Sequence, residues 1–211
     1  MKITPEDFAK LPQVDGMLQC PAADYSLIHQ FPERCSFASG CSFGAWCVFA
    51  EGCSFAERCS FGAWCSFGAW CSFGAWCSFA PGCSFVEGCS FAEGCSFASG
   101  CVFSEGCSFA ERCSFGAWCS FAPGCSFAPG CSFEGEVAKL GIPFITISGL
   151  GSVGRTTYAF NLVSGIKIRC GCFCGTLDQF RQRILQTHGE THYAKSYLAW
   201  AALVEAELGV G

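Results

Sequence analysis

The sequence predicts a mainly β protein: a solenoid of short stacked strands, followed by a small α+β module. Three observations predict it. Phe recurs every six residues from Phe31 to Phe133. Cys recurs every six from Cys35 to Cys131, in fixed phase with the Phe series. Self-similarity at one period over eighteen units is the signature of a repeat architecture. After Phe133 the repeat stops, and longer β-rich runs give way to helical spacing.

The repeating unit is C-S-F followed by a three-residue turn such as G-A-W, A-E-G, A-P-G or A-E-R. Cys and Phe stand two apart, so an extended backbone points them to one face and Ser to the other. Gly, Pro and Ala in the next three positions favour a turn. A strand this short buries nothing alone and must stack on copies of itself. A helix fails, because a period of six puts successive Phe residues on different faces of a 3.6-residue turn.

With Phe31 to Phe133 in the first position, Gly44, Gly62, Gly68, Gly74 and Gly116 in the second and Cys35 to Cys131 in the fifth, the array resembles the hexapeptide-repeat family. The resemblance implies a left-handed parallel β-helix with three hexads per triangular coil. That makes about six coils, about 29 Å long at ~4.8 Å per coil. The departure is Phe where that family places an aliphatic residue; small Cys beside large Phe balances the volume. Many of those proteins are acyltransferases with a His general base. Here His29, His188 and His192 all lie outside the repeats, so the resemblance carries a fold and not an activity.

Residues 1–30 hold three prolines and no period, and read as an N-terminal cap over the first coil's strand edges. Asp24, Tyr25 and His29 at the junction read as cap residues. Residues 31–133 form the β-helix, and 134–211 a cap or docking module. Within the last segment, 144–150, 156–163 and 166–174 read as three strands. Thr176 to His188 reads as a helix opened by a Thr176/Gln179 capping box, and a second helix runs from about Thr191 to Leu208. The segments G-R-T-T-Y and C-G-C-F-C-G-T-L-D-Q-F, with T-H-G downstream, resemble a tail module of phage and prophage proteins, as does the C-S-F-G array. That implies a viral origin and work in the host cytoplasm.

Net charge is −5 over 211 residues, with no basic face for a nucleic-acid backbone. No apolar run approaches the roughly 20 residues needed to span a bilayer. The N-terminus M-K-I-T-P-E-D-F is too polar for a secretory signal, which points to a reducing cytoplasm. Of the 21 cysteines, seventeen occupy one inward repeat position, where a free thiol behaves as a small hydrophobe. Six-residue spacing is not a metal-ligand pattern, and neither metal nor cofactor is expected.

Four candidate sites remain. G-L-G-S-V-G-R-T, Gly149 to Thr156, matches a phosphate loop except for Arg155 in place of Lys, but a strand pattern follows where a helix is required. Cys170, Cys172 and Cys174 alternate along one expected strand and read as a thiol-rich core face. Arg155, Lys167, Arg169, Arg181 and Arg183 are candidates for an anion-binding surface. Finally, sorting hexads by coil separates three corners. Two carry Glu residues; the third carries Trp46, Trp64 and Trp118 and no charge until Glu134. An uncharged stripe with Trp is what an association surface needs. The expected protein is therefore a non-catalytic scaffold or binding protein that forms a homo-oligomer, a trimer. A small-molecule ligand or a host protein is its expected partner. The rival readings are a sponge for a small anionic or nucleotide ligand between subunits, and an acyltransferase.

Overall fold

The computed structural model describes residues 1–139, 142–151 and 154–209. The chain splits into two compact units, Met1–Gly135 and Glu136–Gly211.

The first unit is a parallel β-solenoid of about six coils. Each hexad contributes a strand of two or three residues, such as Ser72–Phe73 or Cys35–Phe37. Each strand pairs in parallel with its equivalent three hexads earlier and later: Phe73 lies opposite Phe55 and Phe91. The strands thus assemble into three sheets, one on each side of a triangular coil. Three Phe residues from each coil enter the interior. Phe79 stacks between Phe61 and Phe97 at 4.8 Å, with interplanar angles of 3° and 6°. Within its coil it meets Phe85 edge-on at 5.1 Å. The core is therefore three columns of stacked rings, each set edge-to-face against the other two. Offset stacks and edge contacts are the favoured aromatic geometries.

Cys fills the space beside each ring. All solenoid thiols are free, and all but Cys125 are buried. Burial without a partner would strand a polar S–H. From Cys41 onward the thiols instead donate across coils to a carbonyl, as Cys65 Sγ does to Gly44 O at 3.3 Å and Cys83 Sγ to Gly62 O at 3.4 Å, while Cys35 donates to Pro32 O within its own turn at 3.3 Å. The last turn residue of each hexad is left-handed, a conformation that Gly adopts freely (Gly82, φ +75°; Gly88, φ +70°). Trp46, Trp64, Trp70, Trp76 and Trp118 hold it as well, with φ between 59° and 65°. Bulky residues seldom do so.

The first thirty residues continue the solenoid. Leu18, Gln19 and Cys20 pair with Cys35, Ser36 and Phe37, and Asp24 bridges Lys2 on one side and Ser42 on the other. Tyr25 consequently occupies a Phe position. It is fully buried, stacks on Phe43 at 5.4 Å, and donates its hydroxyl to Pro21 O at 2.7 Å. The short helix Pro5–Phe8 starts on a Thr4/Asp7 capping box and sets Phe8 edge-on against Phe31 at 5.5 Å.

The second unit is an antiparallel sheet of four strands in sequential order, Phe144–Leu150, Arg155–Leu162, Gly165–Cys170 and Phe173–Thr176. The helices Leu177–His188 and His192–Leu208 follow. Their core joins Ile168 and Ala159 of the sheet to Phe180, Ile184, Tyr197, Trp200 and Val204. The capping box at Thr176 and Gln179 forms as its sequence predicts, and Gly189 ends the helix. The expected third strand, 166–174, is instead two strands. Gly171 takes a φ of 56°, and Cys170 pairs with Phe173 across a two-residue turn. Gly at the first central position is what such a hairpin favours.

Candidate functional site

The solenoid corner singled out by its lack of charge presents Trp46, Trp64 and Trp118 at 66%, 56% and 55% exposure. Trp46 and Trp64 come from adjacent coils and stack at 5.7 Å with their planes 13° apart. The turn ladder beneath them is continuous, with Trp46 N–H donating to Ala63 O at 2.9 Å and Trp64 N–H to Pro81 O at 3.0 Å. Trp70 and Trp76, on the other two corners, are just as open. Part of the reason for Trp here is local. The ring of Trp64 lies over Gly82 so closely that a Cβ there would sit 2.5 Å from it, and Trp70 and Trp76 cover Gly88 and Gly94 in the same way. Each of these three rings therefore roofs the turn of the next coil with one face and leaves the remainder in solvent.

The five basic residues of the second unit are not equivalent. Lys167 meets Glu136 at 3.1 Å, and Glu136 also accepts from Ser164; these two hydrogen bonds, Ser164 first, hold its carboxyl below the usual carboxylate range. Arg181 pairs with Glu205 at 2.6 Å and Asp178 at 3.4 Å. Arg169 is buried, its guanidinium 4.8 Å from the Tyr158 ring centre and 5.3 Å from that of Phe160. The backbone of Arg155 pairs with Leu150, and its side chain lies outside the described residues. Arg183 stands exposed at the edge of a cavity.

That cavity, about 310 Å³, lies between the hairpin and the helices, with Cys170, Cys172, Phe173, Arg183, His188 and Tyr197 in its lining. Because Gly171 turns the chain, Cys170, Cys172 and Cys174 do not share a core face. Cys172 and Cys174 are exposed, while Cys170 is half-buried and accepts from Thr157 Oγ1 at 3.1 Å. Arg183 is legible in the sequence as a candidate anion contact, whereas Tyr197 and His188 as its neighbours are not. The signal was present in part: Phe180, Arg183, Ile184, Thr187 and His188 follow helical spacing and all line the cavity.

The phosphate-loop segment includes residues 152 and 153, which lie outside the described residues. Its described ends pair as an antiparallel hairpin, Leu150 opposite Arg155, so a strand follows where phosphate binding needs a helix N-terminus. Among the described residues no three His, Cys, Asp or Glu side chains gather as a metal site. Among them, too, no helix is long and apolar enough to cross a membrane. No protein-family model, curated protein or solved structure matches this chain.

Proposed function

We propose that this chain is a non-catalytic scaffold and binding protein. Its β-solenoid self-associates as a homotrimer through the corner that carries Trp46, Trp64 and Trp118. One observation carries the reading: a stacked Trp pair stands more than half exposed on a corner without charge. Large exposed aromatics are rare on monomers and enriched at the centres of interfaces. A simple turn does not require them, since Gly82 and Gly100 serve the same corner without a side chain. The ladder of inter-coil hydrogen bonds and the ring columns supply the rigidity a scaffold needs. On this reading the chain works in a host cytoplasm, on a host protein or a small ligand; the resemblance of the array and the tail segments to phage proteins is what supports it. No His lies in the repeats, which sets the chain apart from an acyltransferase of this architecture. Incubation with acetyl-CoA and amine or alcohol acceptors should give no turnover, and sedimentation equilibrium should give the mass of three chains. Measurable acyl transfer, or a monomer, would contradict the reading.

A further inference from the structure

We propose that the cavity of the C-terminal unit is a binding site for a small anionic ligand with one aromatic ring. Arg183 and His188 hold the anion, and Phe173, Phe180 and Tyr197 hold the ring. This site does not depend on self-association through the solenoid corner.

The helix Leu177–His188 builds one wall. Phe180 and Ile184 of its inward stripe are buried and form the floor. Arg183, Thr187 and His188 continue the same face, where a purely structural helix would carry apolar residues. Among the described residues Arg183 makes no hydrogen bond or ion pair, whereas Arg181, two residues earlier, has two carboxylate partners. Among the described residues no carboxylate lines the cavity, and Arg183 gives it positive charge. A guanidinium free of protein partners is suited to bidentate capture of a phosphate or carboxylate.

The rest of the lining is aromatic and packs on that helix. Phe173 lies 5.6 Å from Phe180, which meets Tyr197 edge-on at 5.8 Å. His188 stacks on Tyr197 at 5.8 Å, with planes 25° apart. Gly151, at φ +73°, brings the end of a strand hard against this wall; a Cβ there would sit 2.6 Å from Tyr197 Oη. At about 310 Å³ the space suits one ring with one anionic group, at the small end of ligand pockets.

The cavity carries its own reporter. Cys172 lines it, and Cys174, two residues on, is exposed outside it. The test is competitive alkylation of the full chain by iodoacetamide, read at each thiol by tandem mass spectrometry. The probes are phenyl phosphate, benzoate and adenosine monophosphate, with benzyl alcohol as the neutral control. At least one anionic probe should slow Cys172 by about tenfold at about ten times its Kd, while Cys174 is unchanged. The three anions separate a phosphate from a carboxylate preference and a single ring from a nucleotide. Arg183→Gln should abolish the protection without changing the Cys174 rate, and His188→Gln should weaken it. A Cys172 rate unchanged by all three anions, protection by benzyl alcohol as strong as by any anion, or protection retained in Arg183→Gln would overturn the proposal.

Discussion

At the residue scale, the left-handed turn position separates two kinds of glycine. Gly100 and Gly88 have nearly the same φ, 73° and 70°. A Cβ on Gly100 meets nothing within 4 Å, whereas one on Gly88 would lie 2.5 Å from the Trp70 ring. Gly100→Ala should therefore cost only the left-handed penalty, about 1–2 kcal/mol. Gly88→Ala must also displace an indole, adding about 1–3 kcal/mol. Urea melts of the two variants check this, and equal losses would contradict the roofing role of Trp70. The thiols divide just as sharply. Native alkylation should reach Cys172 and Cys174 and spare the solenoid ladders; fast labelling of Cys65 or Cys83, both fully buried, would be incompatible with the packing. Burial and neighbouring thiols also set a pH dependence. Hydrogen bonding with Cys53, together with burial, pushes the Cys71 thiol up to about 12, and Cys119, Cys83 and burial drive Cys101 upward. An unfolded thiol ionises near ~8.5, so above that pH the unfolded state binds fewer protons than the folded one. For these raised thiols stability is full below about pH 8.5 and is lost as pH rises; Cys53, Cys65, Cys77, Cys107 and Cys113, held low by hydrogen bonds from neighbouring thiols, act in the opposite sense but are outnumbered by the raised ones. Tm in reductant should fall between neutral pH and pH ~10, and a flat profile would show that the thiols ionise freely in the fold.

At the element scale, the strand–turn hexad is the unit, and its energetics reside in the ring columns. Phe79 touches rings above, below and to either side. Phe79→Ala should cost about 3–5 kcal/mol, measured by denaturant unfolding. A loss below about 0.5 kcal/mol would mean that the ring is not in the core. The hexad was legible because every copy has the same phase, so one pattern fixes strand, turn and inward face together. The N-terminal rungs were harder to read. Tyr25 lies six residues before Phe31 and keeps the aromatic phase, but its neighbours do not spell C-S-F. Cys20 lies opposite Phe37, one residue short of the eighteen that separate equivalent repeat positions, so no fixed period could find it. In the second unit the capped helices were plain from Thr176, Gln179 and Gly189. The hairpin at Gly171 was hidden because Cys170, Cys172 and Cys174 alternate as one strand would. Only the left-handed backbone at Gly171 breaks that alternation, and sequence spacing does not record it. The cavity was half legible for the same reason: the helix stripe could be read, but Tyr197 and the turn that delivers Cys172 come from pairings distant in sequence.

At the scale of the whole molecule, the chain divides into two compact units: a solenoid whose corners present Trp, and a mixed module with its own cavity. Three of the five exposed solenoid Trp residues occupy the corner that lacks charge through the repeats, and that corner holds the Trp46–Trp64 stack. If that stripe is an interface, introducing charge there should separate the subunits without unfolding them. The indoles are at least half exposed in the single chain, so the variant gives up the Trp64 roof over Gly82 and the Trp46–Trp64 stack but leaves the buried Phe columns whole. Light scattering coupled to size exclusion on the wild-type chain and on the Trp46→Glu, Trp64→Glu, Trp118→Glu variant tests this directly. The wild type should elute with the mass of three chains, and the variant as a folded monomer with an unchanged far-ultraviolet circular dichroism spectrum. A monomeric wild type, or a variant that assembles as the wild type does, would contradict self-association through this corner.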